Sequence, residues 1–420
     1  MTELIVFSPQ DNNRLQYVLD YVLVQRCGIS YTLIADKSEL AVGPTINYST
    51  EQLPNSIKVE YSLYLQQLIN VPDFELELIF ESSGTNFDFF AAIFFLLARV
   101  EEYDSRDLDE HGRYKAENSL LYKKQLLDTP VIDVWIFAFR KELTERFNLA
   151  LKAEKYELTS TIDVDHIYAY KHKPTAISLG SLIRDLLTLK FDRVKGRYLE
   201  NDPYDRLEDM LEWHKAAGLA PIIFVLTAQR SNFDKSLSPT SLPFITKISA
   251  LAQETDIGIH PSYASNISPH IVKKEKNDLT AIIGRPISKS RQHYLKLALP
   301  ETYRNLIALG ITEDYTLGYP SQLGFRAGTS RPFPWYDLEY NEATTLILNP
   351  FSIMDVTLKR YLGFSSEEAL SRCTTLIEKL RSVNGHCCLI WHNSSFYEAE
   401  GWRGWEEVYR SLIRSGSSDN

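Results

Sequence analysis

Cysteine is scarce in this chain: Cys27, Cys373, Cys387 and Cys388 are the only four in 420 residues. They offer neither a disulfide framework nor a paired zinc-ribbon spacing. Adjacent Cys387 and Cys388 lie in the apolar run HCCLIWHN, where a small hydrophobe is the expected role. An excess of positive charge is also missing. With 45 basic against 55 acidic residues the formal charge is -10, and no long Lys/Arg run occurs, so no nucleic-acid partner is expected. Long hydrophobic runs are absent. The longest candidate, FFAAIFFLLA from Phe89 to Ala98, is bounded by Asp88 and Arg99, and a membrane span needs about twenty residues. It reads as a buried helix, and no membrane span is expected. The first residues, MTELIVFSPQDNNRLQ, carry an acid where a signal peptide is positive, and Leu4 to Phe7 is too short for its apolar region. A chain starting near Met1, with reduced thiols and a cytoplasmic location, is the expectation. Repeats and low-complexity tracts are lacking; only the tail, SGSSDN, has the composition of a disordered end.

The length suffices for two domains, or for one large barrel with an extension. Residues 1–150 begin as strand (Leu4 to Phe7), helix (Asn12 to Gln25) and strand (Ser30 to Ile34), with later helices at Phe87 to Tyr103 and Ile132 to Lys152. That alternation suggests a small α/β domain of open role. Between the two later helices, Asp104 to Tyr122 is dense in charge and poor in apolar periodicity. It is either a solvated loop or a segment that reaches over the second domain and walls a site. Composition changes near Lys152 to Tyr156, and residues 151–415 alternate in longer units. Strands are expected at Leu158 to Val164, Pro221 to Leu226, Asp256 to His260, Ile282 to Pro286 and Cys387 to His392. Helices fit between them at Ser178 to Thr188, Tyr204 to Ala217, Pro243 to Gln253, Pro300 to Leu309 and Ser366 to Arg381. Ser365 and Glu368 form a capping box for the last, and Gly385 follows its end. Such a βα series predicts a parallel sheet or barrel with its chemistry at the carboxyl ends of the strands.

The most informative stretch is TSTIDVDH, from Thr159 to His166. Alternate side chains of a strand share a face, so Asp163 and Asp165 project together at the end of an apolar run. Two carboxylates held that close repel unless a cation or proton intervenes, which permits one to bind a metal and the other to act as a base. A strand ending in a polar turn is the plainer alternative. Three other polar groups fall at or just past expected strand ends: His260 in DIGIHPSYAS, Arg291 and His293 in SRQHYL, and His392 in LIWHNSS.

This ordered set resembles the NodB-type polysaccharide deacetylases, metal-dependent carbohydrate esterases that remove acetyl groups from amino sugars. Their Asp-Asp motif corresponds to Ile162-Asp163-Val164-Asp165, with one residue inserted. Their His-containing second motif is similar to Asp256-Ile257-Gly258-Ile259-His260-Pro261-Ser262, and their final strand and His to Leu389-Ile390-Trp391-His392-Asn393. The phrase GITEDYTLGYPSQLGFRAGTSRPFPW, Gly310 to Trp335, also resembles cytoplasmic-type members. The resemblance covers about 155 to 400 and leaves residues 1–150 unexplained. It implies a distorted (β/α) barrel of the NodB type behind a smaller α/β domain, with a divalent metal, zinc by family habit, as cofactor.

By that resemblance Asp163 is the base, His392 the acid and Arg291 the residue that orients the base. Asp165 and His260 are metal ligands. The chain departs from the family at Ala264, where a second metal His would fall, and neighbouring Ser262 and Ser265 are poor ligands for a transition metal. His293 is the expected replacement, with His166 and His172 in reserve. Asp314 is the candidate to orient His392. Arg326 is placed on a substrate anion or in an ion pair, and Tyr263, Trp335 and Trp391 are assigned to a sugar-binding groove. The expected activity is metal-dependent deacetylation of an N-acetylated sugar or polysaccharide. One alternative is a non-catalytic carbohydrate-binding or assembly protein on a degenerate barrel; another is a glycoside hydrolase using Asp163 and a second carboxylate. Acyl group, sugar and oligomeric state stay open.

Overall fold

The computed structural model describes residues 4–66, 87–103 and 105–417, and none of the described helices is long and apolar enough to cross a membrane. Asp104 and the end of the tail, 418–420, lie outside the described residues.

Four short parallel strands open the chain: β1 (Leu4–Phe7), β2 (Tyr31–Ile34), β3 (Thr45–Asn47) and β4 (Ser56–Lys58), in the order β2-β1-β3-β4. β1 is buried along its whole length, as its unbroken apolar LIVF requires of a parallel strand covered on both faces. The helix after it, Asn13–Leu19, starts where the Asn12 side chain accepts from the N–H groups of Arg14 and Leu15. It passes into a π-helical segment, Asp20–Cys27, which ends at Gly28 with φ 72°. In the apolar run at Phe89–Leu97 every residue is buried, as expected of a core helix. The single helix expected over Phe87 to Tyr103 is divided at Arg99, whose φ is 55°. Likewise the helix expected to reach Lys152 spans Val131–Phe147 and stops at Asn148, in the left-handed region.

Nine strands make the second sheet: β5 (Glu157–Val164), β6 (Ile222–Val225), β7 (Asp256–Ile259), β8 (Lys289–Ser290), β9 (Glu313–Asp314), β10 (Phe333–Asp337), β11 (Glu342–Leu348), β12 (Ile353–Met354) and β13 (His386–His392). Their order is β10-β11-β9-β8-β7-β6-β5-β13-β12, and only the β10–β11 pair is antiparallel. The sheet curls. Leu317, beyond β9, accepts a 3.0 Å hydrogen bond from the N–H of Phe351, just before β12, and Phe224, Tyr315, Phe351, Met354 and Ile390 pack as one cluster. Among the described residues no strand pair joins β12 to β9, so the strands expected to form a distorted barrel make a curled sheet.

One strand is misplaced in the sequence-based expectation. Ile282 to Pro286 is not a strand: Ile282 and Ile283 end the helix Pro269–Ile283, capped by Gly284 at φ 72°. The true strand, β8, lies three residues beyond Pro286. The capping box forms as expected, with Ser365 and Glu368 each accepting the other's N–H, at 3.2 and 2.9 Å.

A single apolar core runs from Val6 of β1 to Ile162 of β5, so the two sheets share their interior. Tyr17 and Phe94 pack on Tyr336 of β10, and the Tyr17 hydroxyl donates to the Pro334 carbonyl. The GFRAG phrase belongs to this contact. Gly324 sits at φ 122°, and a Cβ there would fall 2.1 Å from the Leu127 carbonyl oxygen, so only glycine lets the two backbones meet. Arg326 is therefore not a substrate residue: buried, it donates to Glu102 through Nε at 2.9 Å and to the Gly318 carbonyl at 3.0 Å.

Candidate active site

Parallel pairing fixes the first contact of the site. His392 is the register partner of Asp163 on the adjacent strand, so base and acid candidates emerge side by side at the carboxyl ends of β13 and β5. Asp163 is buried, and its Oδ1 accepts from Arg291 Nη1 at 2.7 Å. The same Nη1 donates to Thr161 Oγ1, Arg291 Nε donates to the Tyr315 carbonyl, and the guanidinium lies 4.5 Å from the centre of the Phe224 ring. Phe224 needs Gly258 beside it, because a Cβ at that position would come 2.4 Å from the ring. The glycine of DIGIH thus serves the packing beneath the base candidate.

Three imidazoles converge on Asp165. His260 and His293 place their Nε2 atoms 3.3 and 3.5 Å from Oδ1, and His392 Nε2 is 3.9 Å from Oδ2. The other nitrogen of each ring is occupied: His260 Nδ1 pairs with the Arg291 carbonyl at 2.6 Å, His293 Nδ1 with Asp234 at 2.8 Å and His392 Nδ1 with Asp355 at 2.8 Å. Acceptors at Nδ1 set the tautomer that leaves Nε2 turned inward, the usual support of a metal-binding imidazole. Asp165 Oδ1 is buried without a hydrogen-bond partner. It forms, with His260 and His293, a group of ligand atoms all within 4.8 Å of one another. Donor atoms about 2.0–2.1 Å from a tetrahedral zinc lie roughly 3.4 Å apart. The two Asp165 separations match that spacing, so the residues fit a divalent cation.

Electrostatics follow the geometry. Burial raises the Asp165 pKa, but the imidazoles of His293, His260 and His392 around it hold it well below the ordinary carboxylate range. Burial lowers His293 and His392, yet Asp165 and Asp234 lift the first to about 9, and Asp355 and Asp165 lift the second to about 10.

A pocket of about 290 Å³ is lined by Asp163, Asp165, His260, His293 and His392 together with Phe233, Tyr294, Tyr361, Arg113 and Lys235. Arg113 comes from the charged stretch of the first 150 residues, which therefore reaches over the second sheet and does not simply lie in solvent. It donates to the Tyr294 carbonyl at 2.8 Å and to the Tyr361 hydroxyl at 3.2 Å. Tyr294 and Leu295 both adopt positive φ, 61° and 53°, a costly conformation for such residues that Arg113 helps to hold beside His293.

Several expected residues lie elsewhere. Trp391 alternates with His392 along β13 and is buried against Trp405 and Tyr409, and Trp335 is buried against Tyr303. Tyr263 stacks at 4.0 Å on Phe233, which itself lines the pocket, so it stands one ring behind the wall. Asp314 bonds Ser290 and Thr316 and does not reach His392; Asp355, which sequence reasoning missed, takes that place. Asp234 was missed too. Asp234 lies in an irregular segment with no motif around it, and Asp355 directly follows β12, a two-residue strand too short to mark its own end. Of the reserve ligands, His172 is exposed, and His166 lines the pocket but is driven down to about 4 by burial. Ser262 and Ser265 are tied to each other in a turn, with Ser265 Oγ donating to the Ser262 carbonyl.

Residues 4–148 match the model of a family of unknown function, DUF7033. No curated protein matches the chain. Among solved structures, a Mycobacterium smegmatis protein assigned as a polysaccharide deacetylase is 15% identical, with 64% of this chain and 86% of that chain covered at a TM-score of 0.43. The allantoinase Puue is 12% identical with the same coverage and a TM-score of 0.42, and a Pseudomonas aeruginosa PAO1 protein assigned as a polysaccharide deacetylase is 12% identical, again with the same coverage, at 0.41.

Proposed function

We propose that the chain is a metal-dependent amidohydrolase on a distorted NodB-type barrel, removing the acetyl group from an N-acetylated sugar. The observation that carries this reading is the convergence of three Nε2 atoms on Asp165 next to an Arg-held Asp163. Asp165, His260 and His293 would hold the cation, which supplies Lewis-acid polarisation of the amide carbonyl and a more acidic water.

The chain's own groups perform the proton transfers. Asp163 Oδ1 is committed to Arg291, so Oδ2 is the oxygen that takes the proton from water. Arg291, buried beneath the site, donates to that carboxylate and fixes its direction. His392, raised to about 10 beside Asp355, is protonated at neutral pH and delivers a proton from Nε2 to the departing amine. The rings of Phe233, Tyr294 and Tyr361 line the pocket, and aromatic rings suit the apolar side of a sugar, which supports a carbohydrate substrate.

Metal content tests the reading. Chelator-treated protein should take up about one zinc or cobalt ion per chain, as a site with three protein ligands does. His293 must surrender its raised proton on loading, so uptake should release protons and weaken as pH falls. The Asp165→Ala and His260→Ala variants should lose the ion. A wild-type chain that stays metal-free at millimolar zinc would remove the proposed chemistry.

A further inference from the structure

Beside the catalytic pocket, and sharing His166 and Lys235 with it, lies a second cavity of about 380 Å³. Six basic side chains face it: Lys173, Arg184, Arg193, Arg197, Arg230 and Lys235. Two carboxylates answer them. Asp185 pairs with Arg193 and Arg197, and Glu400 pairs with Arg193. Among the described residues, Lys173, Arg184, Arg230 and Lys235 have no carboxylate within 4.0 Å, and Arg197 Nε is buried without a hydrogen-bond partner. So many like charges around one cavity repel at a cost that an anion would relieve.

The helix Thr175–Leu187 is built to match. Ile177, Gly180, Ser181 and Arg184, at helical spacing, line the cavity. Leu179, Ile183, Leu186 and Leu187 of the same helix are turned to solvent, with Leu187 79% exposed. Ile177 and Ser181 are half-buried at the cavity and Arg184 is exposed at its rim, while the apolar side chains of the helix stand at the surface.

We propose that the cavity is an anion subsite of the catalytic pocket, binding the phosphate or diphosphate group of a phosphorylated N-acetylated amino sugar whose amide lies against Asp163 and Asp165. The substrate's identity rests on the hydrolytic reading above; the binding of the anion does not. Guanidinium groups suit phosphate through paired, charge-assisted hydrogen bonds.

Calorimetric titration with inorganic pyrophosphate tests the subsite without any turnover. Wild-type protein should bind it, and the Arg184→Gln/Arg230→Gln double variant should bind at least about tenfold more weakly, each lost charged contact being large enough for that factor. Both substituted side chains are exposed, so the melting temperature should be unchanged. The Asp163→Asn variant should bind pyrophosphate like wild type, which separates failure of the subsite from failure of the hydrolysis. Absence of binding, or equal affinity in the double variant, overturns the proposal. Co-sedimentation identifies the source of the phosphate. Retention on vesicles containing phosphatidylinositol phosphate, lost in Ile183→Ser/Leu187→Ser, places it on a lipid-borne substrate; pyrophosphate binding without retention places it on a free sugar phosphate, and either result keeps the subsite.

Discussion

Replacing Asp163 with Asn should lower the rate of acetate release from an N-acetylated amino sugar by about 10²- to 10⁴-fold, the range a positioned general base supplies. Asn keeps an oxygen at the Oδ1 position for Arg291 Nη1, so the geometry beneath the site is retained while the proton-accepting carboxylate oxygen is lost. Arg291 then lies buried opposite a neutral partner, and some loss of stability accompanies the change. Thermal melting and zinc content, measured on the same preparation, separate that effect from catalysis. A variant that binds zinc and melts as a folded protein, yet turns over at the wild-type rate, would leave Asp163 without the assigned role. Loss of turnover in kcat, with KM little changed, is the pattern of a group acting in the transition state.

The site was legible wherever a polar residue ends an apolar run. Asp163, His260 and His392 announce themselves because a short buried strand has to stop at a residue that serves something other than the core. His293 was legible only as a substitute for the histidine missing at Ala264. Its supporting Asp234 lies 59 residues away in sequence, in an irregular segment without periodicity. The aromatic assignments failed for a different reason. Density of rings along a chain says nothing about which face of a strand they occupy, and in β13 the alternation that aims His392 at Asp165 necessarily turns Trp391 into the helical layer. The GFRAG phrase was recognisable as a motif, but its use was hidden because its partners, Leu127 and Glu102, stand about two hundred positions earlier. Strand lengths explain the misplaced β8: a two-residue strand carries no alternation to read, whereas the apolar end of the preceding helix imitates one.

Those same partners set the second large expectation, which concerns the joint between the first 150 residues and the curled sheet. Substituting Glu102 by Gln should destabilise the protein by about 3–5 kcal/mol, the usual result of removing one member of a buried ionic group. Glu102 lies between two guanidinium groups that are themselves buried, accepting from Arg99 Nε at 2.8 Å and from Arg326 Nε at 2.9 Å. Neutral glutamine leaves both cations short of countercharge; Arg99 retains Glu101, but Arg326 keeps the Gly318 carbonyl and the Tyr319 ring and, among the described residues, no other carboxylate. The same group predicts a pH dependence. Burial alone would raise the Glu102 pKa, but the two arginines overcome it and bring the value down from 4.5 to about 2. A depressed carboxylate stabilises the folded state fully above its unfolded value and loses that contribution as pH falls from about 4.5 toward 2. Urea unfolding of wild type should therefore show stability declining through that window, and Glu102→Gln should be less stable at pH 7 with a shallower decline below pH 4.5. Equal midpoints for the two proteins at pH 7 would mean that the joint is held by its apolar contacts, Tyr17 and Phe94 on Tyr336, and that the arginines flanking Glu102 add nothing to it.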